Sequence, residues 1–232
     1  MLDEVASAGR ENLEVEHVAR YDGKEDAGAA AEVEFLAVHG LTADSVVVDI
    51  GPGTGQFVLA AAARCRRVIA VDVSPPMLAR LAANTAVAGL DNVEIVQAGF
   101  LTYQHQGPPV DLVYSRYALH HLPDAWKAIA LTRIHALLRP GGVFRLWDVV
   151  YSFTPQDAEA GFETWCATAP GKTITDPHAW SRAEYEEHIR DEHSTFTWLL
   201  EPMAERAGFI IETADHSADG MFAQYLLRAS HN

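Results

Sequence analysis

Only two cysteines, Cys65 and Cys166, occur among the 232 residues. That is too few for a disulfide framework, so a reducing compartment is expected. Cations are also scarce: 17 Lys and Arg stand against 32 Asp and Glu, a formal charge of −15. Such a balance argues against nucleic acid or an anionic membrane as the main partner. The one dense basic cluster, Arg64, Arg66 and Arg67, reads as solvated surface between two elements. No apolar run approaches the ~20 residues a membrane-spanning helix needs. The start, Met1-Leu2-Asp3-Glu4, lacks the basic and apolar regions of a signal peptide, and a cytoplasmic setting is expected. No internal repeat or low-complexity tract is visible.

What is present is concentrated at residues 46–55, Val-Val-Val-Asp-Ile-Gly-Pro-Gly-Thr-Gly. The β-branched run reads as a buried parallel strand. The glycines after it suit a turn against which a ligand lies with no room for a Cβ. A helical segment follows from Phe57, so strand, turn and helix N-terminus form a socket for a nucleotide-like ligand. A second strand, Val68-Ile69-Ala70-Val71, ends in Asp72, 17 residues after Gly55 and placed to meet ribose hydroxyls. A dinucleotide fingerprint would need glycine where Gln56 stands. Asp49 would also repel a pyrophosphate, whereas a ligand with an ammonium and a sulfonium would welcome it.

Further strands are expected at 93–96, 110–114 and 142–149, and helices near 32–41, 74–88 and 124–138, the last stopped by Pro140-Gly141-Gly142. The finish reads as a helix at 195–207 and strands at 209–213 and 221–228. This alternation predicts an α/β, doubly wound Rossmann-like architecture with a mostly parallel seven-stranded sheet and an antiparallel last strand. One domain spans 1–232, with a helical cap over 1–33 and a helical insertion or lid over 150–194. That insertion is rich in aromatics, including Tyr151, Phe153, Phe162, Trp165, Trp180 and Tyr185, which suits a mini-core of its own.

The Asp-x-Gly-x-Gly-x-Gly stretch resembles motif I of the class I S-adenosylmethionine-dependent methyltransferases, and the likeness covers roughly residues 40–149. It implies S-adenosyl-L-methionine as cofactor, with Gly51, Pro52, Gly53, Thr54 and Gly55 along its methionine part and Asp49 near its ammonium. It further implies that Asp72 holds the ribose while Val73 and Met77 pack beside the adenine. Relatives often carry an acid just after the third strand, where this chain has Gly99. Adenine is then left to Phe100 and backbone groups. The stretch Ser115-Arg116-Tyr117-Ala118-Leu119-His120-His121-Leu122-Pro123-Asp124 resembles the small-molecule branch, in which the carbonyl near Ser115 faces the cofactor's ammonium. His120 and His121 are then the candidate bases, and Tyr117 could offer an oxygen or π-face to the sulfonium. Tyr21 of Tyr21-Asp22 matches a tyrosine that closes the site in relatives. Asp148, near the carboxyl end of the fifth strand, is a candidate substrate contact.

The activity so implied is direct in-line methyl transfer to a small-molecule acceptor. The alternatives are a cyclase-like enzyme using the same cofactor, a non-catalytic cofactor-binding module and a nicotinamide-dependent oxidoreductase. No nucleic-acid or membrane partner is expected, and the N-terminal helices could pair two subunits as a homodimer. No metal is expected either: His188 and His193 lie five apart and do not share a helix face, leaving a charged turn with Asp191 and Glu192.

Overall fold

The computed structural model describes residues 3–8, 28–171 and 179–230. Tyr21 and most of the expected N-terminal cap lie outside them. Helix α1 (Ala29–Val38) precedes β1 (Val46–Ile50), α2 (Gln56–Ala62), β2 (Arg67–Asp72), α3 (Pro75–Ala88) and β3 (Val93–Gln97). Next come β4 (Val110–Arg116), α4 (Asp124–Leu137), β5 (Leu138–Tyr151), α5 (Ala158–Thr168) and α6 (Arg182–Asp191). The chain closes with β6 (Thr195–Phe196), α7 (Thr197–Arg206), β7 (Phe209–His216) and β8 (Phe222–Ala229).

The sheet runs β3-β2-β1-β4-β5-β8-β7. The first five strands are parallel, and β8 lies antiparallel to both β5 and β7. Alternation along each strand feeds two helical layers. Val48, Ile50, Ile69 and Val71 pack on the side that includes Leu131 of α4 and Leu200 of α7. Val47, Val68 and Ala70 pack with Leu36 of α1, Val58 of α2 and Leu81 of α3. Helix α3 starts where Ser74 Oγ accepts the Met77 N–H, with proline in the first turn, and stops at Gly89, φ 66°.

Two details depart from the sequence reading. The Pro140-Gly141-Gly142 turn lies inside β5 as an irregularity: Val110 pairs with Leu138 and Leu112 with Val143, so the register skips it. The sheet also has an eighth, two-residue strand, β6, which pairs with Val150 and Tyr151. It takes the first residues of the helix expected from Thr195.

The chain order reverses between β1 and β4, and in open α/β sheets the crevice at such a switch collects ligands at the carboxyl ends of the strands. The insertion after β5 supplies a third, aromatic cluster of Tyr151, Trp165 and Met221, with Phe153, Phe162, Tyr185 and Tyr117 packed against it. Tyr117 belongs to the switch crevice, so the insertion and the crevice share a wall.

Candidate cofactor site

The loop after β1 is shaped by φ values few side chains adopt: 78° at Gly51, 54° at Gly53 and 94° at Gly55. A Cβ on Gly51 would stand 2.4 Å from the Cβ of Ala118, so the loop after β1 is packed directly against the Ala118 methyl of the loop after β4. Asp72, at the end of β2, ties the loop down: Gly53 N–H donates to Oδ2 at 3.3 Å and Ser74 N–H to Oδ1 at 2.8 Å. Burial pushes the Asp72 carboxyl up to about 6, against the lowering effect of those N–H groups.

Two cavities flank this loop. The first is walled by Ile50, Val71, Val73, Ala98, Phe100 and Leu122, with Asp72 and His121 as polar members. The N-terminal segment closes it. Glu4, 8% exposed, accepts the Leu101 N–H and the Thr102 hydroxyl, each at 3.1 Å. Its Oε1 lies 2.4 Å from where a Cβ on Gly99 would stand. The carboxylate missing after β3 is therefore replaced by one arriving from the far end of the chain. Sequence reasoning missed Glu4 because no local pattern links residue 4 to residue 99.

The second cavity is lined by Asp49, Pro52, Thr54, Phe57, Tyr114, Arg116 and Tyr117. Asp49 is 1% exposed, and neither of its carboxylate oxygens has a hydrogen bond among the described residues. Burial, and secondarily the charge of Asp72, holds its pKa well above the usual carboxylate range. An uncompensated buried carboxyl is costly unless a cationic or donor group completes it. The guanidinium of Arg116, stacked 3.8 Å from the Trp147 ring, faces the same cavity. A carboxylate and a guanidinium together match the ammonium and carboxylate of an α-amino acid, so the residues present fit the cofactor's methionine end. Tyr117 borders both cavities and is the one non-glycine residue with positive φ, 50°, among those described. Strain of this kind costs on the order of 1–3 kcal/mol and gathers at functional sites.

Five of the expected residues line neither cavity. Ser115 is fully buried and its hydroxyl donates to the Ile50 carbonyl at 2.8 Å, tying β4 to β1. Met77 is a core residue of α3. Gly55 is the N-cap of α2, its Cβ position filled by Leu81. His120 turns away from the crevice: its Nδ1 meets Asp148 Oδ1 at 2.5 Å and its Nε2 lies 2.8 Å from Glu192. Burial alone would lower the His120 pKa, but the Asp148 charge and hydrogen bond, together with the nearby Glu192 charge, outweigh it and raise it to about 10. His121 differs: burial, then the neighbouring His120 charge, lowers it to about 3. At neutral pH it is an uncharged imidazole on the wall of the first cavity. Asp148 is spent on His120 and on the Val149 N–H rather than on the crevice.

Residues 47–142 match a family model described as a methyltransferase domain. The chain is 32% identical over 109 residues to an uncharacterised methyltransferase of Geobacillus kaustophilus, covering 47% of this chain and 49% of that one. It is 35% identical over 127 residues to a trans-aconitate 2-methyltransferase of Methylobacterium radiotolerans, covering 54% and 46% respectively. The chain thus spans about half the length of these curated relatives. Among solved structures, a putative methyltransferase bound to the Haloferax volcanii Trm112 activator superposes with a TM-score of 0.68 at 21% identity, over 93% of this chain and 95% of that one. With the glycine loop, the acid closing β2 and this sheet order in place, residues 47–142 carry the likeness to a methyltransferase domain.

Proposed function

We propose that this chain binds S-adenosyl-L-methionine across the two cavities and transfers its methyl group to a small-molecule acceptor. The observation that carries the reading is Asp49, a buried carboxyl without a hydrogen bond, beside Arg116 in one cavity and one strand away from Asp72 in the next. When bound, S-adenosylmethionine supplies an electrophilic methyl group on a sulfonium. Asp49 and Arg116 hold the amino-acid end, and Asp72 accepts bonds from the ribose hydroxyls while the apolar walls around Phe100 enclose the base. Glu4 stands beside Gly99 as an acceptor for an exocyclic amine.

Methyl transfer spreads charge along one line, so positioning and the exclusion of water provide most of the acceleration. Tyr117, fixed in its strained conformation by the Trp147 carbonyl and flanked by Trp147 and Phe222, holds the wall between the cavities. His120 has both ring nitrogens directed at carboxylates and offers no lone pair to an acceptor. His121, neutral and on the cavity wall, can orient a hydroxyl or amine by accepting its hydrogen bond but is too weak a base to strip a reluctant proton. The aromatic cluster beneath the insertion favours a small, enclosed acceptor over an extended polymer.

Calorimetry with S-adenosylmethionine, S-adenosylhomocysteine and a nicotinamide dinucleotide tests the cofactor, and the first two alone are expected to bind. Mass spectrometry of turnover with an acceptor panel then separates methyl transfer, which releases S-adenosylhomocysteine, from cyclisation, which releases methylthioadenosine. No heat with either adenosyl compound would sink the reading.

A further inference from the structure

On the side of the crevice that faces the insertion, histidines from two chain segments converge on one carboxylate. His120, from the turn after β4, places Nε2 2.8 Å from Glu192 Oε2. His188, on α6, places Nδ1 2.9 Å from the same oxygen. These donor atoms all lie within 4.8 Å of one another. The contacts do not give Glu192 Oε2 a hydrogen bond, and it is a buried oxygen without one among the described residues. We propose that His120, His188 and Glu192 bind a divalent transition metal of the zinc type, which fastens the insertion to the wall of the cofactor crevice.

The chemistry of the set favours that ligand. Two imidazole nitrogens and one carboxylate oxygen are a donor combination zinc takes, at about 2.0–2.2 Å from each, which sets neighbouring donors roughly 3.4 Å apart. The observed contacts are shorter, so the triad needs only to open by about half an ångström to admit the ion. Both imidazoles are already oriented from behind. His120 Nδ1 is held by Asp148, whose oxygens also accept the His120 and Val149 N–H groups, and His188 Nε2 meets the Ser194 hydroxyl at 2.8 Å. Metal-bound histidines characteristically have the second ring nitrogen fixed by a carboxylate or other acceptor in this way. Charge agrees too, since a dication balances Asp148 and Glu192. His121 Nδ1, 3.8 Å from Glu192 Oε2, is the nearest further donor. Asp191 and His193 take no part. Asp191 pairs with Arg190, and the His193 N–H donates to the His120 carbonyl. The relevant spacing is therefore His188 to Glu192 on one side and a distant His120 on the other.

The proposal does not depend on the cofactor reading, and its test uses no cofactor. The full chain, stripped with a chelator, is titrated with Zn²⁺ against a chromophoric competitor, and separately with Co²⁺ while visible absorption is followed. One ion per chain, a d–d spectrum of low-symmetry coordination and a rise in thermal midpoint reversed by chelator are expected. His188→Gln and Glu192→Gln should each weaken Zn²⁺ at least tenfold, and Asp148→Asn, which leaves the ligands in place, should weaken it about 10–100-fold. Circular dichroism without metal establishes that each variant is folded. Should one fail to fold, the Co²⁺ spectrum of the unaltered chain decides alone. No saturable Zn²⁺ binding to the unaltered chain, or unchanged affinity in a folded variant, overturns the site and leaves a metal-free ion-pair cluster.

Discussion

Replacing Asp49 by asparagine is expected to stabilise the ligand-free protein while weakening its hold on a cationic ligand. Asp49 has no hydrogen bond for either oxygen among the described residues and is 1% exposed. Asparagine keeps the shape and removes the buried charge, but leaves an amide equally short of partners. The net gain is therefore modest, about 1–3 kcal/mol, or roughly 2–10 °C in thermal midpoint for a chain of this size. Its sign with pH follows from the raised pKa, caused first by burial and then by Asp72. The folded carboxyl holds its proton more tightly than the unfolded one, so its penalty is full above the folded pKa and vanishes below the unfolded value near ~4. The variant's advantage should thus grow as pH rises towards the folded pKa and shrink towards pH 4. With S-adenosylmethionine present the order should reverse, because losing the ammonium's counter-charge costs about 10–100-fold in affinity, ~1.4–2.7 kcal/mol. Thermal denaturation across pH, with and without ligand, and calorimetry measure both terms. A variant that melts below the unaltered protein without ligand, or binds as tightly, would refute the reasoning.

Asp72, raised to about 6 chiefly by burial, should make cofactor affinity fall as pH drops through 6, since ribose hydroxyls donate best to the anion. The same raised pKa makes the ligand-free fold gain stability from this group between pH 6 and 4, and Asp72→Asn should flatten both profiles in calorimetric and thermal scans. Glu4→Ala removes acceptors for the buried Leu101 N–H and the Thr102 hydroxyl, and should weaken S-adenosylmethionine about 5–10-fold in calorimetry and lower stability by about 1–3 kcal/mol. Arg145, 2% exposed, meets Glu32 of α1 through two bonds of 2.9 Å. Glu32→Ala strands that charge and should cost about 3–5 kcal/mol in denaturant unfolding, whereas replacing both by apolar residues should cost far less.

The central strands β1 and β2 are legible because they are buried on both faces and read as near-continuous apolar runs, as at Val46–Val48 and Val68–Val71. Helix α3 is legible through Ser74 and its prolines, which act within one turn. What stays hidden depends on partners distant in the chain. Pro140-Gly141-Gly142 has the local grammar of a stop, yet β4 and β8 hold the chain on either side of it in strand pairing. Thr195 and Phe196 become a strand only because Val150 and Tyr151 pass beside them. In the site, Asp49 and Asp72 are announced by the turn they flank, but Glu4 acts across 95 positions from Gly99 and carries no motif. His188 and Glu192 read as a charged turn because His120, whose ring lies beside Glu192 in the fold, is 68 residues before His188 in the chain.

The touching loops after β1 and β4 bind the evolutionary freedom of positions 51 and 118 to each other. Alanine fills the space that a side chain at 51 would require, so neither place can enlarge unless the other shrinks. Trading the pair, with alanine at 51 and glycine at 118, would conserve total volume and relieve the crowding. It would still leave a methyl-bearing residue at φ 78°. That exchange separates steric exclusion from dihedral cost, and in homologous sequences it forbids a simple swap: glycine at 51 should persist whatever happens at 118.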